Sequence, residues 1–249
     1  MRRIKDFVYT MAQRGLAQVG LRVEIDRPVR NPLKLMATKT ADLGIRTIFD
    51  VGANVGTFGQ EIRRLGYRGA IVSFEPLSAA HAQLTRTAAK DDLWYAAPRM
   101  AIGSEAGVSE INVARNLASS SLLQVERRSI DAAPVSEFIG RESVSVQRLD
   151  DVVKSTWLSP FAMKLDTQGS EIQVLQGAAI TLDKTSLIMV EMSLVPLYRG
   201  GPTLVDVFQY LDQRGFYCIS LTQSFPDNQR NELLQVDGVF ARRPLTNEE

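Results

Sequence analysis

The chain has one cysteine and one histidine among its 249 residues. A lone Cys218 can close no internal disulfide and can build no zinc site with cysteine partners. Its setting, Phe216-Tyr217-Cys218-Ile219, reads as a buried strand, and the scarcity of cysteine points to a reducing compartment. No apolar run approaches the roughly 20 residues that cross a bilayer. The start, Met1-Arg2-Arg3-Ile4-Lys5, is basic, but Gln13, Arg14 and Gln18 interrupt the stretch after it, so a signal peptide is not expected. The expected location is the cytoplasm. An excess of one charge is also lacking: 29 Lys and Arg face 28 Asp and Glu, for a formal net charge of +1. That balance provides no long-range field for capturing DNA or an anionic membrane, and nucleic acid is not expected as the partner.

Hydrophobic residues make up 45% of the chain, which excludes disorder and supports one α/β domain with a short appendage. Residues 1–44 form the appendage. Ile4, Phe7, Val8, Met11, Leu16 and Val19 recur at helical spacing, and Pro32 opens a second helix through about Leu43. Such helices cover a sheet edge or a neighbouring subunit, as in a homodimer. The alternative is a peripheral membrane contact through Arg2, Arg3, Lys5 and Arg14. The domain proper spans 45–249. Apolar runs at 47–51, 70–74, 95–102, 161–166 and 186–190 read as buried strands, with helices at 57–65, 78–89, 170–176 and 203–214 between them. Segments 108–113 and 144–149 alternate in β fashion, with loop and helical pieces across 116–140. Segments 216–221 and 235–241 have no helix between them. Repeated β–α units imply a parallel sheet covered on both faces, and the late pair implies an antiparallel ending.

Ligands of open α/β sheets sit beyond the carboxyl ends of the strands. The first such end is Phe49-Asp50-Val51-Gly52-Ala53-Asn54-Val55-Gly56. Gly52 permits a tight turn, and Gly56 and Thr57 start the next helix close to the sheet. The N–H groups of this loop are placed to hold a carboxylate. Asn54 replaces the second glycine of the dinucleotide fingerprint, which matters most where a pyrophosphate presses on backbone. S-adenosylmethionine carries no pyrophosphate, and Asp50 suits its cationic part. Glu75, before Pro76 and 25 residues after Asp50, is placed to accept the protons of both ribose hydroxyls. Ala101 and Ile102 are expected to flank the adenine. The only histidine, His81, falls in the helix after Pro76 and reads as an exposed or cofactor-adjacent residue rather than a base.

These residues resemble the FkbM-type methyltransferases, a branch of the class I S-adenosylmethionine-dependent enzymes. The resemblance rests on the loop 49–56, Phe74-Glu75-Pro76, Ser119-Ser120-Ser121-Leu122, residues 146–151, Lys164-Leu165-Asp166-Thr167-Gln168-Gly169-Ser170-Glu171, residues 174–178 and Glu191. It implies a Rossmann-like, seven-stranded, mostly parallel sheet with an antiparallel last strand. It also implies O-methylation of a sugar, glycolipid or glycosylated natural product. The family's more usual acidic Val-Glu-Gly stands here as Thr167-Gln168-Gly169.

Methyl transfer from a sulfonium is an in-line displacement, so alignment supplies much of the catalysis. An alcohol must also lose its proton, to a base or with help from a metal. Asp166, ending the fourth long strand, is the expected base, and Glu191 its partner. Lys164 lies two residues before Asp166 on the same face, placed to neutralise a carboxylate. Glu171 is placed to satisfy helix N–H groups. Were a metal used, Asp166, Glu191 and the Asn116 amide would suit Mg²⁺. Asn116, Ser120, Gln168 and Tyr198 are the expected acceptor-side residues, and Trp94, Trp157 and Tyr198 are candidates to stack on a sugar face. The competing readings are an NAD- or nucleotide-sugar-binding oxidoreductase and a non-catalytic cofactor-binding module.

Overall fold

A computed structural model describes residues 28–244. The chain runs α1 (Pro32–Asp42), β1 (Thr47–Val51), α2 (Thr57–Arg64), β2 (Ala70–Phe74), α3 (Ser78–Ala88), β3 (Trp94–Ala96), β4 (Ala101–Ile102), β5 (Gly107–Ala114). It continues through α4 (Arg127–Ala132), β6 (Phe138–Gln147), α5 (Leu149–Val152), β7 (Phe161–Leu165), α6 (Glu171–Gln176) and α7 (Ala179–Asp183). It ends with β8 (Thr185–Ser193), α8 (Leu204–Asp212), β9 (Phe216–Asp227) and β10 (Glu232–Arg242). Seven strands form one sheet in the order β3-β2-β1-β7-β8-β10-β9, and only β10 runs against its neighbours.

The strand sequences explain why both faces are covered. Ile48, Ala162, Leu187 and Val239 pack on one face with Leu35 and Met36 of α1 and Phe58 and Ile62 of α2. Their successors Phe49, Met163, Ile188 and Phe240 pack on the other, with Val174 and Leu175 of α6 and Val207 and Leu211 of α8. Alternate residues of a strand point to opposite faces, so a strand apolar at both positions needs helices on both sides. α1 starts as its sequence dictates. The Asn31 side chain accepts the Lys34 N–H at 3.0 Å and Pro32 occupies the first turn. With Met36 fully buried, α1 packs as a layer of the sheet's own core. The helix expected over 4–19 lies outside the described residues.

Two expectations need correction. The run 95–102 is not one strand: β3 stays in the large sheet, whereas β4 pairs with β6 in a second sheet ordered β4-β6-β5. Pro98 stands between them, and a residue without an N–H cannot continue a ladder. Cys218 is half-buried rather than enclosed, because β9 is the edge strand of the sheet.

Strand order reverses between β1 and β7, which are paired in parallel with β2 outside one and β8 outside the other. Chain crossovers leave in opposite directions there, and a crevice opens beyond Val51 and Leu165.

Candidate active site

The crevice is walled by Gly52, Asn54, Glu75, Pro76, Ala101, Ile102, Asp166 and Gln168, with Leu117, Ser120, Ser121 and Leu122 closing one side. Gly52 makes the close approach of the two strand ends feasible. Its φ is +77°, and a Cβ there would lie 1.9 Å from the carbonyl oxygen of Asp166. The loop then folds on itself. The Gly52 and Ala53 N–H groups donate to the Phe74 carbonyl at 3.1 and 3.0 Å, and Gly56 N–H donates to Ala53 at 2.9 Å. Asn54, at φ 48°, donates its N–H to Glu75 Oε2 at 2.7 Å. These amides, expected to hold a carboxylate, are therefore committed within the loop. Gly56 and Thr57 lie outside the crevice wall: Gly56 caps α2, where an added Cβ would press on Leu84 and Trp94.

Glu75 is nearly buried. Oε2 accepts from Asn54, and Oε1 accepts the Leu77 N–H at 2.8 Å. Each carboxylate oxygen has two lone pairs, so each keeps one for a hydroxyl donor. Beside it lie Met100, Ala101 and Ile102, an apolar wall suited to a flat heterocycle. This is the corner where the sequence places the ribose and its base. Burial, opposed by the two backbone N–H donors, raises the Glu75 pKa to about 7 from 4.5. The folded protein thus holds an extra proton between those values, and this contribution to stability falls as pH rises through them. Hydroxyl donors favour the ionised form. Cofactor affinity is therefore expected to increase as pH rises through about 7, with proton release visible by calorimetry in two buffers of different ionisation enthalpy. Glu75→Gln removes a charged acceptor and sets an NH₂ against a backbone N–H, so affinity should fall roughly 10- to 100-fold.

Asp50 is not at the crevice. It is fully buried in register with Ser73 on β2 and Lys164 on β7. It accepts from Ser73 Oγ at 3.0 Å and faces Lys164 Nζ at 3.4 Å. In a sheet covered on both faces, a side chain buried against one of them has no route to a ligand beyond the strand end. Lys164 links this row to the site: Nζ donates to Gly52 O at 2.8 Å and lies 3.4 Å from Asp166 Oδ2. Burial alone would lower the Lys164 pKa, but the Asp166 and Asp50 carboxylates outweigh it and raise it. The lysine stays charged between the two acids, although burial still pushes the Asp50 carboxyl above its usual range.

Asp166 is the acid that reaches the opening, its side chain 37% exposed. The turn behind it is built by Glu171, whose Oε1 accepts from Thr167 N–H, Thr167 Oγ and Gly169 N–H. That carboxylate thus serves the strand-to-helix turn. Gln168, at φ 53°, donates through Nε2 to Asp166 Oδ1 and to Glu191 Oε2, both at 2.7 Å. Glu191 sits behind the crevice wall, where Ser224 Oγ donates to its Oε1 at 2.6 Å and Gln235 Nε2 to its Oε2 at 3.0 Å. Burial and then the Asp166 carboxylate raise its pKa well above the ordinary range. Tyr198 is buried and donates its hydroxyl to Gln168 Oε1 at 2.6 Å, so it is a support rather than a stacking surface.

The other expected residues are elsewhere. The Asn116 amide binds Ser119 of its own loop, away from Asp166 and Glu191. Trp94 is buried against α2, and Trp157 packs edge-on to Phe49. His81 donates from Nε2 to the Ala97 carbonyl at 2.7 Å on α3. Ser121, part of the matching segment but given no role from sequence, donates its Oγ to the Gln168 carbonyl at 2.6 Å and ties the loop 117–123 to the site. Among the described residues, no group of three or more His, Cys, Asp or Glu stands close enough to hold a metal ion. No described helix is long and apolar enough to cross a membrane.

The sequence model of the methyltransferase FkbM domain matches residues 50–218. Methyltransferase sdnD of Sordaria araneosa is 23% identical over 192 residues, covering 68% of this chain and 73% of that protein. Similar solved structures include a putative RNA methyltransferase from Pyrococcus horikoshii, with TM-score 0.46, 10% identity, and 90% and 88% of the two chains covered. Another is magnesium protoporphyrin IX methyltransferase from Synechocystis, with TM-score 0.45, 8% identity, and 97% and 96% covered.

Proposed function

Because the chain belongs to the FkbM family of class I S-adenosylmethionine-dependent methyltransferases, we propose that it methylates a hydroxyl oxygen, with Asp166 as the base. The observation that carries this reading is the position of Asp166. Its carboxylate is the charged group at the mouth beyond the β1 and β7 ends, apart from the Glu75 corner suited to a ribose. When bound, the cofactor supplies an electrophilic methyl group on a sulfonium. The chain's part is to hold the acceptor oxygen in line and to take its proton as the new C–O bond forms. Lys164 and Gln168 fix the carboxylate from two sides, and each of its oxygens keeps a lone pair for the acceptor.

The acceptor class, a sugar, glycolipid or glycosylated natural product, rests on the family resemblance. The lining agrees with it: its charged residues, Glu75 and Asp166, are both acidic, and an acceptor bearing phosphate beside the reacting oxygen would be repelled. Calorimetric titration should show binding of S-adenosylmethionine and none of NAD. Labelled methyl should pass to a member of a glycoside panel and not to its deoxy analogue at the same position. Binding of NAD alone would return the protein to the oxidoreductases.

A further inference from the structure

Asp166 and Glu191 come from neighbouring strands and are joined by a single NH₂ group. The Gln168 amide is satisfied at both of its ends. With Nε2 toward the carboxylates, both hydrogens are donated at 2.7 Å and Oε1 accepts the Tyr198 hydroxyl at 2.6 Å. Turned over, its oxygen would face the Asp166 carboxylate oxygen, an acceptor set against an acceptor. The backbone fixes the side chain too. Gln168 has a left-handed φ of 53°, and its carbonyl accepts from Ser121 Oγ at 2.6 Å. A residue held in that conformation, with its carbonyl and both polar atoms of its side chain engaged, is over-determined by its surroundings.

We propose that the Gln168 amide is a positioning group that bridges Asp166 and Glu191 in the place a divalent cation would take, making the base metal-independent. The spacing carries the argument. An sp² NH₂ directs its hydrogens about 120° apart, so the two bridged oxygens stand roughly 4.7 Å from each other. A Mg²⁺ ion binds oxygens at about 2.0–2.1 Å, so two of its ligands can be no more than about 4.2 Å apart. The oxygens as the amide holds them therefore stand wider than one Mg²⁺ ion can span. The third oxygen ligand expected from sequence, the Asn116 amide, is engaged elsewhere with Ser119. The residues present do not fit Mg²⁺. Glu191 gains its role through the bridge: it takes one hydrogen of the amide and so aims the other at Asp166.

The inference builds on Asp166 as the base, but its test reads the bridge without turnover. Gln168→Glu replaces the bridging donor with a third carboxylate. This variant should bind Mn²⁺ saturably, seen by electron paramagnetic resonance or calorimetry. The parent should show no Mn²⁺ binding that Glu191→Gln abolishes. In methyl-transfer assays the parent should be insensitive to chelator, whereas Gln168→Glu should lose roughly 100-fold in chelator and recover part of it with Mn²⁺. Should that variant not fold, Tyr198→Phe removes the hydroxyl that orients the amide while keeping the ring. It should lower kcat roughly 10-fold with the KM for S-adenosylmethionine unchanged. Mn²⁺ binding by the parent that depends on Glu191 would overturn the proposal. So would a Gln168→Glu protein that binds no Mn²⁺ and stays fully active in chelator, or a Tyr198→Phe protein with unaltered kcat. Loss of all transfer in the parent, with the metal results as expected, would count against the base assignment alone.

Discussion

Asp166→Asn protein is expected to turn over roughly 1,000-fold more slowly than the parent while binding S-adenosylmethionine with affinity changed less than about threefold. The substitution keeps the shape of the side chain and removes its capacity to take a proton. One oxygen remains to accept the Gln168 amide, which lies 2.7 Å from Asp166 Oδ1. The other is replaced by an NH₂ facing Lys164, which retains the Gly52 carbonyl at 2.8 Å and Asp50 at 3.4 Å. The lysine is therefore not stranded, and the fold should persist. Cofactor affinity is expected to survive because the corner proposed for the ribose is built on Glu75, on a different strand end. Single-turnover kinetics with saturating cofactor reads the chemical step directly. A kcat within threefold of the parent would remove Asp166 from the reaction.

The second large effect is on Gly52→Ala. A left-handed φ costs an alanine about 1–2 kcal/mol. At φ +77° the added Cβ also lies 1.9 Å from the Asp166 carbonyl oxygen and 2.9 Å from its carbon, both backbone atoms that cannot swing aside. Relief requires β1 and β7 to part at their ends, an overpacking cost of about 1–3 kcal/mol. The sum, about 2–5 kcal/mol, should lower Tm by about 10 °C for a domain of this size. Lys164 donates to the Gly52 carbonyl and Asp166 N–H to Val51, so the same parting shifts the base, and activity should drop with stability. Gly66→Ala is the control: its φ is +102° but a Cβ there meets nothing within 4 Å. That variant should lose only the strain component, about 1–2 kcal/mol. Equal Tm losses for the two would mean the contact with Asp166 costs nothing.

Sequence reading and structure meet where local chemistry decides the outcome. Apolar runs ended by Gly52, Gly66, Gly177 and Gly215 mark strand and helix ends because a turn at those points needs little beyond its own residues. Asp166, Glu75 and Gly52 could be placed at strand ends for the same reason. Asp50 was misplaced because strand-end logic overlooks register. It sits one residue inside β1, opposite Ser73 and Lys164, and a cross-strand row of three polar residues is invisible along a single segment. β4 was merged with β3 because two residues give no period, and its partner Val146 lies 45 positions away. Gln168 is the clearest case of missing information. Its acidic counterpart in the family's usual motif marks it as a departure, but the meaning lies in contacts with Glu191, Tyr198 and Ser121. Glu191 and Tyr198 lie on β8 and the loop after it and Ser121 on a distant loop, and the fold brings all three to Gln168.

The most direct measurement of the central claim does not require the acceptor to be identified first. The parent protein and Asp166→Asn would each be incubated with metabolite extract and S-adenosylmethionine carrying a ¹³C-methyl group, and the labelled products examined by carbon NMR. The parent should place the label on oxygen, as a methyl ether, at a rate the variant fails to reach by roughly 1,000-fold. Label found on nitrogen or carbon, or formed equally fast by Asp166→Asn, would contradict the assignment of an oxygen acceptor deprotonated by Asp166.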